Sequence, residues 1–117
     1  MESMVVFYPC TNIEETYTFY TKIIGLTLYE DQGMCKILDS GYGYIGFCQY
    51  DDPTLATKTC ISFNLNNKEE VDLMHQKMQS CNVEITSPPS QHPKFNVYSF
   101  FMKDPNGYTV EFQKITK

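Results

Sequence analysis

The sequence repeats one order of predicted elements, and this internal duplication constrains the fold more than any other feature. Asn12 and Asn67 stand where a helix cap is expected, and Glu15 and Glu70 follow each of them after three residues. The two caps are 55 residues apart, about half of the 117-residue chain. One strand pattern precedes each helical pattern and three follow it, so the sequence predicts an α+β protein of two tandem βαβββ units.

The length of the chain favours a single domain, 1–117, in which the two repeats comprise about residues 1–52 and 57–117. Gly25 and Asn82 come at the ends of the two helical patterns, where a left-handed residue is favoured. The proline-rich segment between Ser87 and Asn96 is predicted to be the longest irregular loop.

Composition excludes several classes of partner. The net charge of −5 argues against nucleic acid, because phosphate binding depends on clustered Lys and Arg. No apolar run approaches the roughly 20 residues that span a bilayer, and no signal-peptide pattern opens the sequence, so we expect a cytoplasmic protein without a membrane partner. Its five cysteines form no CxxC pair, and we expect reduced, mostly buried thiols.

Two motifs resemble those of a known family. Phe19-Tyr20 followed by Ile23-Ile24-Gly25-Leu26 resembles the "FY...vLGF" signature of the vicinal oxygen chelate superfamily, and Asp104-Pro105-Asn106-Gly107 with Glu111 resembles its closing "DP-x-G...E" motif. The superfamily includes glyoxalases, bleomycin-resistance proteins and extradiol dioxygenases. The resemblance implies a U-shaped mixed sheet around a cleft, with helices on the convex face, and a homodimer.

Strand alternation divides the side chains between the two faces of that sheet. In the strand over 59–65, Cys60, Ser62 and Asn64 form the polar set, which should face the cleft. In the last strand, Glu111 alternates with the apolar Val110 and Phe112 and is therefore expected on the cleft side. A carboxylate in a partly dry site needs a cation, a metal or hydrogen-bond donors.

The resemblance also implies where metal-dependent relatives hold their ligands. Matching the motifs places Val5, Cys60 and Phe47 at three of the four ligand positions, with Gln49 two residues after Phe47. Only Glu111 is a clear metal ligand, so no metal and no other cofactor is expected. His92, in the proline-rich loop, is a further candidate for a base or a ligand, and it joins Glu111 as a candidate catalytic residue.

Aromatic residues make up 15% of the chain, and several are expected to line the cleft. The leading hypothesis is a metal-free protein that binds and sequesters a small organic ligand, similar to the antibiotic-resistance branch of the superfamily. The residues predicted to contact the ligand are Glu111, Phe47, Gln49, Cys60, Ser62, Phe7 and Phe100.

Two alternatives stay open. The first is a metal-dependent lyase, isomerase or dioxygenase that binds one divalent metal ion through Glu111 and an unusual ligand set, with a glyoxalase-like lyase or a dioxygenase as the expected enzyme. The second is a structural or partner-binding domain whose cleft is filled, because a fold does not fix a function.

Overall fold

The computed structural model describes residues Met1–Lys117, which form two compact units, Met1–Thr57 and Lys58–Lys117. The first unit contains β1 (Val5–Pro9), α1 (Ile13–Thr18) continued by a π-helical segment (Phe19–Ile24), β2 (Thr27–Asp31), β3 (Cys35–Asp39) and β4 (Tyr44–Cys48). The second contains β5 (Cys60–Asn64), α2 (Lys68–Ser80), β6 (Ile85–Gln91), β7 (Val97–Lys103) and β8 (Thr109–Ile115).

Each unit has one four-stranded mixed sheet with the same topology. The strand order is β1-β4-β3-β2 in the first unit and β5-β8-β7-β6 in the second. The first strand of each unit pairs in parallel with the last, and the other neighbours are antiparallel. The predicted α+β class of two tandem βαβββ units is confirmed. The U-shaped arrangement around a cleft and the single domain stay predictions.

The helix ends follow the predicted cap chemistry. The side-chain oxygen of Asn12 accepts a hydrogen bond from the backbone N–H of Glu15 at 2.9 Å, and that of Asn67 accepts one from Glu70 at 2.8 Å. Beyond the helices, Gly25 has a φ of 105° and Asn82 a φ of 58°. A residue in the left-handed region therefore follows each helix.

In each unit the helix packs on one face of the sheet, which we call the helix-covered face. In the first unit Tyr20 lies 4.5 Å from Phe47, measured between ring centroids. In the second, Phe100 stacks on Phe112 at 5.6 Å, and the His75 ring of α2 meets Phe100 edge-on. These side chains form the core, since Tyr20 and Phe100 are fully buried and Phe47 and Phe112 are only 1% and 2% exposed.

The turn before β8 has the geometry that its residues favour. The N–H of Gly107 donates to the carbonyl of Asp104 at 3.0 Å, and the Asp104 carboxylate accepts from the N–H groups of Asn106 and Tyr108. This turn fixes the register of β7 on β8, with Lys103 opposite Thr109.

The predicted loop between Ser87 and Asn96 is wrong over its first half. β6 extends as a strand to Gln91 and includes Pro88 and Pro89. β6 is an edge strand, and an edge strand tolerates proline because its N–H groups on the outer side have no strand to donate to. The pairing of β6 with β7 is irregular around the prolines.

The prediction of reduced, mostly buried cysteines is also wrong. Cys35 and Cys48 form a disulfide, because the pairing of β3 with β4 sets them directly opposite each other. Cys10 is buried, but Cys60 and Cys81 are exposed. Neither helix has the length and apolar character that crossing a membrane requires. The cytoplasmic location stays a prediction.

Reduction of the Cys35–Cys48 disulfide should lower the free energy of unfolding by about 3 kcal/mol, because the bond closes a short loop in the unfolded chain. Urea denaturation of oxidised and reduced protein would measure the difference. As a control, Cys81→Ser removes an exposed thiol and should leave the free energy of unfolding unchanged. Equal stability of the oxidised and reduced forms would contradict this expectation.

Candidate functional site

The face of the second sheet opposite α2, which we call its helix-free face, carries a polar set of side chains. Cys60, Ser62 and Asn64 of β5 are exposed, whereas Ile61 between them is buried at 7% exposure. Ser62 lies directly opposite Glu111 of β8. The predicted division of β5 into a polar and an apolar set is confirmed, and Glu111 lies on the polar side.

Glu111 is 8% exposed and has an asymmetric environment. The Ser62 hydroxyl donates to its Oε1 atom at 2.8 Å, and the Cys60 sulfur lies 4.0 Å from the same oxygen. Oε2 has no partner within the chain and keeps contact with solvent. The carboxylate is therefore held by one oxygen and offers the other to an approaching donor or cation.

Cys60 is a weak nucleophile in this setting. Partial desolvation of its sulfur raises the pKa of the thiol, and the nearby charge of Glu111 raises it further. Because the thiolate is the reactive form, the thiol acts here mainly as a weak hydrogen-bond donor towards Glu111.

Two neighbours of Glu111 were missed by the sequence analysis. Phe101 of β7 lies directly opposite Glu111 and is partly exposed, and Lys103 lies opposite Thr109. The Lys103 ammonium donates to the Thr109 hydroxyl at 3.0 Å. Counting outwards from the Asp104–Gly107 turn would have found both residues, since a hairpin turn fixes which residues face each other.

The first unit has a different pair at the matching positions. In β1 and β4, Val5 lies opposite Tyr44 and Phe7 opposite Gly46, as Cys60 lies opposite Thr109 and Ser62 opposite Glu111. The counterpart of Glu111 is therefore Gly46. The prediction of Phe47 as this counterpart is wrong by one residue. A shift of one residue moves the side chain to the other face of the sheet.

Phe7 occupies the space that a side chain at position 46 would need. A Cβ atom added to Gly46 would clash with the Cδ1 and Cε1 atoms of the Phe7 ring. Phe7 itself is 41% exposed, which agrees with its predicted place on the helix-free face of its sheet. Where the second unit has a hydrogen-bonded serine and carboxylate, the first unit has an aromatic ring over a glycine.

Three residues predicted to contact a ligand lie elsewhere. Phe47 and Phe100 are on the helix-covered faces and are almost fully buried, so their predicted place in the cleft is wrong. Gln49 follows β4, and its side-chain oxygen accepts a hydrogen bond from the N–H of Ile13 at 2.9 Å. Gln49 therefore caps the start of α1, because this N–H has no partner within the helix.

His92 takes part in its own turn between β6 and β7. Its Nδ1 atom accepts hydrogen bonds from the N–H groups of Lys94 and Phe95, both at 3.0 Å, and its ring lies 4.6 Å from the Phe95 ring. The turn joins the start of β7 at Val97, about 13 Å along the strand from Phe101 and Glu111. The structure does not bring His92 and Glu111 together.

The comparisons with known proteins define the family. The model of the Glyoxalase/Bleomycin resistance protein/Dioxygenase superfamily matches residues 4–112. The chain therefore belongs to this superfamily, as the resemblance of its motifs predicted. No curated protein matches this sequence at a significant level.

Solved structures share the fold. A putative glyoxalase from Bacillus halodurans has a TM-score of 0.79 and 25% identity, with 97% of this chain and 95% of that chain covered. A glyoxalase/bleomycin resistance protein/dioxygenase family enzyme from Burkholderia phytofirmans has a TM-score of 0.82 and 19% identity, covering 95% and 96%. Lactoylglutathione lyase from Agrobacterium tumefaciens has a TM-score of 0.79 and 17% identity, covering 95% and 91%.

The residues of the helix-free faces do not fit the divalent metal that the resemblance implies for some relatives. Glu111 and Cys60 carry potential donor atoms, but Val5 and Gly46 at the matching positions of the first unit carry none. The chain contains no group of three or more His, Cys, Asp or Glu side chains arranged to hold a metal ion. No reaction step is therefore assigned to a metal.

Gly46→Ala should destabilise the first unit by about 1–3 kcal/mol, because the added methyl group would displace the Phe7 ring. Chemical denaturation would measure the loss, and Phe7→Ala in the same chain should recover most of it. Gly43→Ala is the matched control, since its added Cβ would meet no atom closer than 3.7 Å. Equal effects of the two glycine variants would contradict the proposed packing.

Alkylation of Cys60 should reach half of its maximal rate at a higher pH than for an ordinary exposed thiol, because its raised pKa delays formation of the thiolate. Glu111→Gln should increase the rate near pH 8 severalfold by removing the adjacent negative charge. Mass spectrometry of the modified peptides would follow Cys60, with the exposed Cys81 as an internal control. An unchanged Cys60 rate in Glu111→Gln would contradict this account.

Proposed function

We propose that this protein binds a small organic molecule without a metal, and that Glu111 anchors the ligand. The observation that carries the proposal is the carboxylate of a nearly buried residue with one oxygen held by Ser62 and the other open. Such an oxygen favours a cationic group or a strong hydrogen-bond donor, since burial makes an unpaired carboxylate costly. The proposal concerns the helix-free face of the second sheet.

The neighbours of Glu111 narrow the class of ligand. Phe101, directly across from Glu111, supplies a partly exposed aromatic surface beside the carboxylate. Lys103 lies two residues further along β7, about 7 Å away along the strand, and keeps ammonium hydrogens beyond the one given to Thr109. A ligand with a cationic or donor group, an apolar or aromatic body and a hydrogen-bond acceptor would use all three side chains.

The first unit supports a metal-free mode of binding. Its helix-free face presents the Phe7 ring and a ring pair in which Tyr29 lies 4.5 Å from Tyr44. Tyr29 is 62% exposed and Phe7 41% exposed. Aromatic surfaces of this kind favour flat apolar compounds, whereas they supply no charged metal ligand. A cytoplasmic homodimer remains part of this proposal.

Glu111→Gln should weaken the binding of a cationic ligand about 10- to 100-fold, since a charge-assisted hydrogen bond is worth about 1.5–3 kcal/mol. A thermal-shift screen that pairs aromatic cations with neutral molecules of the same shape would first identify a ligand. Calorimetric titration of metal-stripped protein would then measure its dissociation constant for the wild type and for Glu111→Gln. Ser62→Ala should have a smaller effect because it removes a group that orients Glu111. Glu84→Gln, on an exposed residue of the same unit, should have none.

The same titration separates this proposal from the metal-dependent alternative. Binding or turnover that appears only after a divalent metal is restored would overturn the proposal and favour a lyase, isomerase or dioxygenase. Binding to metal-stripped protein that is unaffected by Glu111→Gln would place the ligand elsewhere. No binding across the screen, with or without metal, would favour a structural or partner-binding domain.

A further inference from the structure

A second polar row crosses the helix-free face of the second sheet beside Ser62 and Glu111. Asn64 of β5 lies opposite Gln113 of β8, and Gln113 lies opposite Ser99 of β7. Each member of the row is two positions from Ser62, Glu111 or their neighbour on β7, so its side chain shares their face, about 7 Å along the strands. We call Asn64, Gln113 and Ser99 the amide row.

Asn64 and Gln113 hold each other in place and still carry unused hydrogen-bonding groups. The Nε2 atom of Gln113 donates to Oδ1 of Asn64 at 2.9 Å. Both N–H groups of the Asn64 amide and the carbonyl oxygen of Gln113 have no partner within the chain. Asn64 is exposed and Gln113 partly exposed. The pair therefore offers donors on one strand and an acceptor on the next to an approaching molecule.

Ser99 adds a hydroxyl that the chain itself does not satisfy. The Tyr98 hydroxyl donates to Asp72 of α2 at 2.6 Å, and the Phe100 ring meets an α2 histidine edge-on. Because both neighbours of Ser99 face α2, Ser99 itself points to the helix-free face. It is 4% exposed, and its hydroxyl has no partner within the chain and keeps contact with solvent. A nearly buried polar group of this kind is costly until a hydrogen bond compensates for its burial.

Donors and an acceptor side by side are complementary to an amide group. An amide has a carbonyl oxygen for the Asn64 N–H groups and an N–H group for the Gln113 oxygen. An ester has no donor for Gln113, and an ammonium has no acceptor for Asn64. A carboxylate would be repelled by the charge of Glu111. A hydroxyl would have to accept and donate through a single atom.

We infer that the amide row is a second subsite of the helix-free face, and that the ligand of this protein is an amine that also carries an amide group. The cationic end of the ligand lies at Glu111 and its apolar body against Phe101. Its amide lies about 7 Å from Glu111, on the side away from Lys103. This assignment rests on the proposed function, because Glu111 supplies the anchor, and it adds the chemical class of the ligand.

Three small probes of similar shape test the inference. The first, para-(aminomethyl)benzamide, carries an ammonium and an amide at about the spacing of the two rows, joined by an aromatic ring. The second, methyl para-(aminomethyl)benzoate, lacks the amide N–H groups, and the third, benzylamine, lacks the carbonyl group as well. NMR titration of metal-stripped protein at millimolar probe concentrations would measure the dissociation constants. The amide should bind about fivefold more tightly than the ester, since the gain is about one neutral hydrogen bond.

Substitutions separate the amide row from the anchor. Gln113→Met should abolish the preference for the amide over the ester, because it removes the acceptor at nearly constant volume. Ser99→Ala should reduce the same preference. Glu111→Gln should weaken the binding of all three probes and leave the preference in place. Gln76→Met, the same change on an exposed residue of α2, is the matched control and should alter no dissociation constant.

The outcomes distinguish this inference from the proposed function. No binding of any probe, or benzylamine binding that Glu111→Gln does not weaken, would overturn both. Binding that depends on Glu111 but is equal for the amide and the ester would overturn the amide row alone. A preference for the amide that Gln113→Met leaves unchanged would place the amide elsewhere and overturn the inference as well. Thermal melting checks that each variant is folded, and the comparison of amide with ester in the wild type needs no variant.

Discussion

In each unit one helix covers one face of a four-stranded sheet, and the remaining structure depends on this packing. Tyr20 against Phe47 and α2 against Phe100 commit one set of strand residues to the core. Because successive side chains of a strand point to opposite faces, burial of the first set is enough to direct the other set to the helix-free face. The position of Glu111 is thus a consequence of burying Val110 and Phe112.

The two units use the same backbone plan for different chemistry. Gly46 and Glu111 occupy matching places in β4 and β8, yet one leaves room for the Phe7 ring and the other carries a carboxylate held by Ser62. A duplicated fold can diverge in this way because the helix-covered faces maintain stability while the helix-free faces are free to change. The family model that matches residues 4–112 shows membership of the superfamily, whereas the chemistry of each helix-free face depends on a few side chains.

Local chemistry was the part of the fold that the sequence predicted well. Asn12 and Asn67 cap helices, and Gly25 and Asn82 follow them in the left-handed region, because these preferences act over three or four residues. Errors arose wherever strand register mattered. Aligning Gly43-Tyr44 with Gly107-Tyr108 made Phe47 the counterpart of Glu111 and so predicted its side chain on the helix-free face. Phe47 lies on the helix-covered face, because a register shift of one residue moves a side chain to the other face of the sheet.

The sequence by itself determined the two βαβββ units, the family and the side of β8 on which Glu111 lies, because each follows from short-range patterns of polarity and turn residues. Only the tertiary structure decided which residues meet across strands: Ser62 with Glu111, Phe7 over Gly46, and Cys35 with Cys48. These contacts join positions 13 to 49 residues apart. Their pairing depends on the register of each strand. Turns, bulges and core packing set that register together, and no short segment of the chain contains all of these determinants.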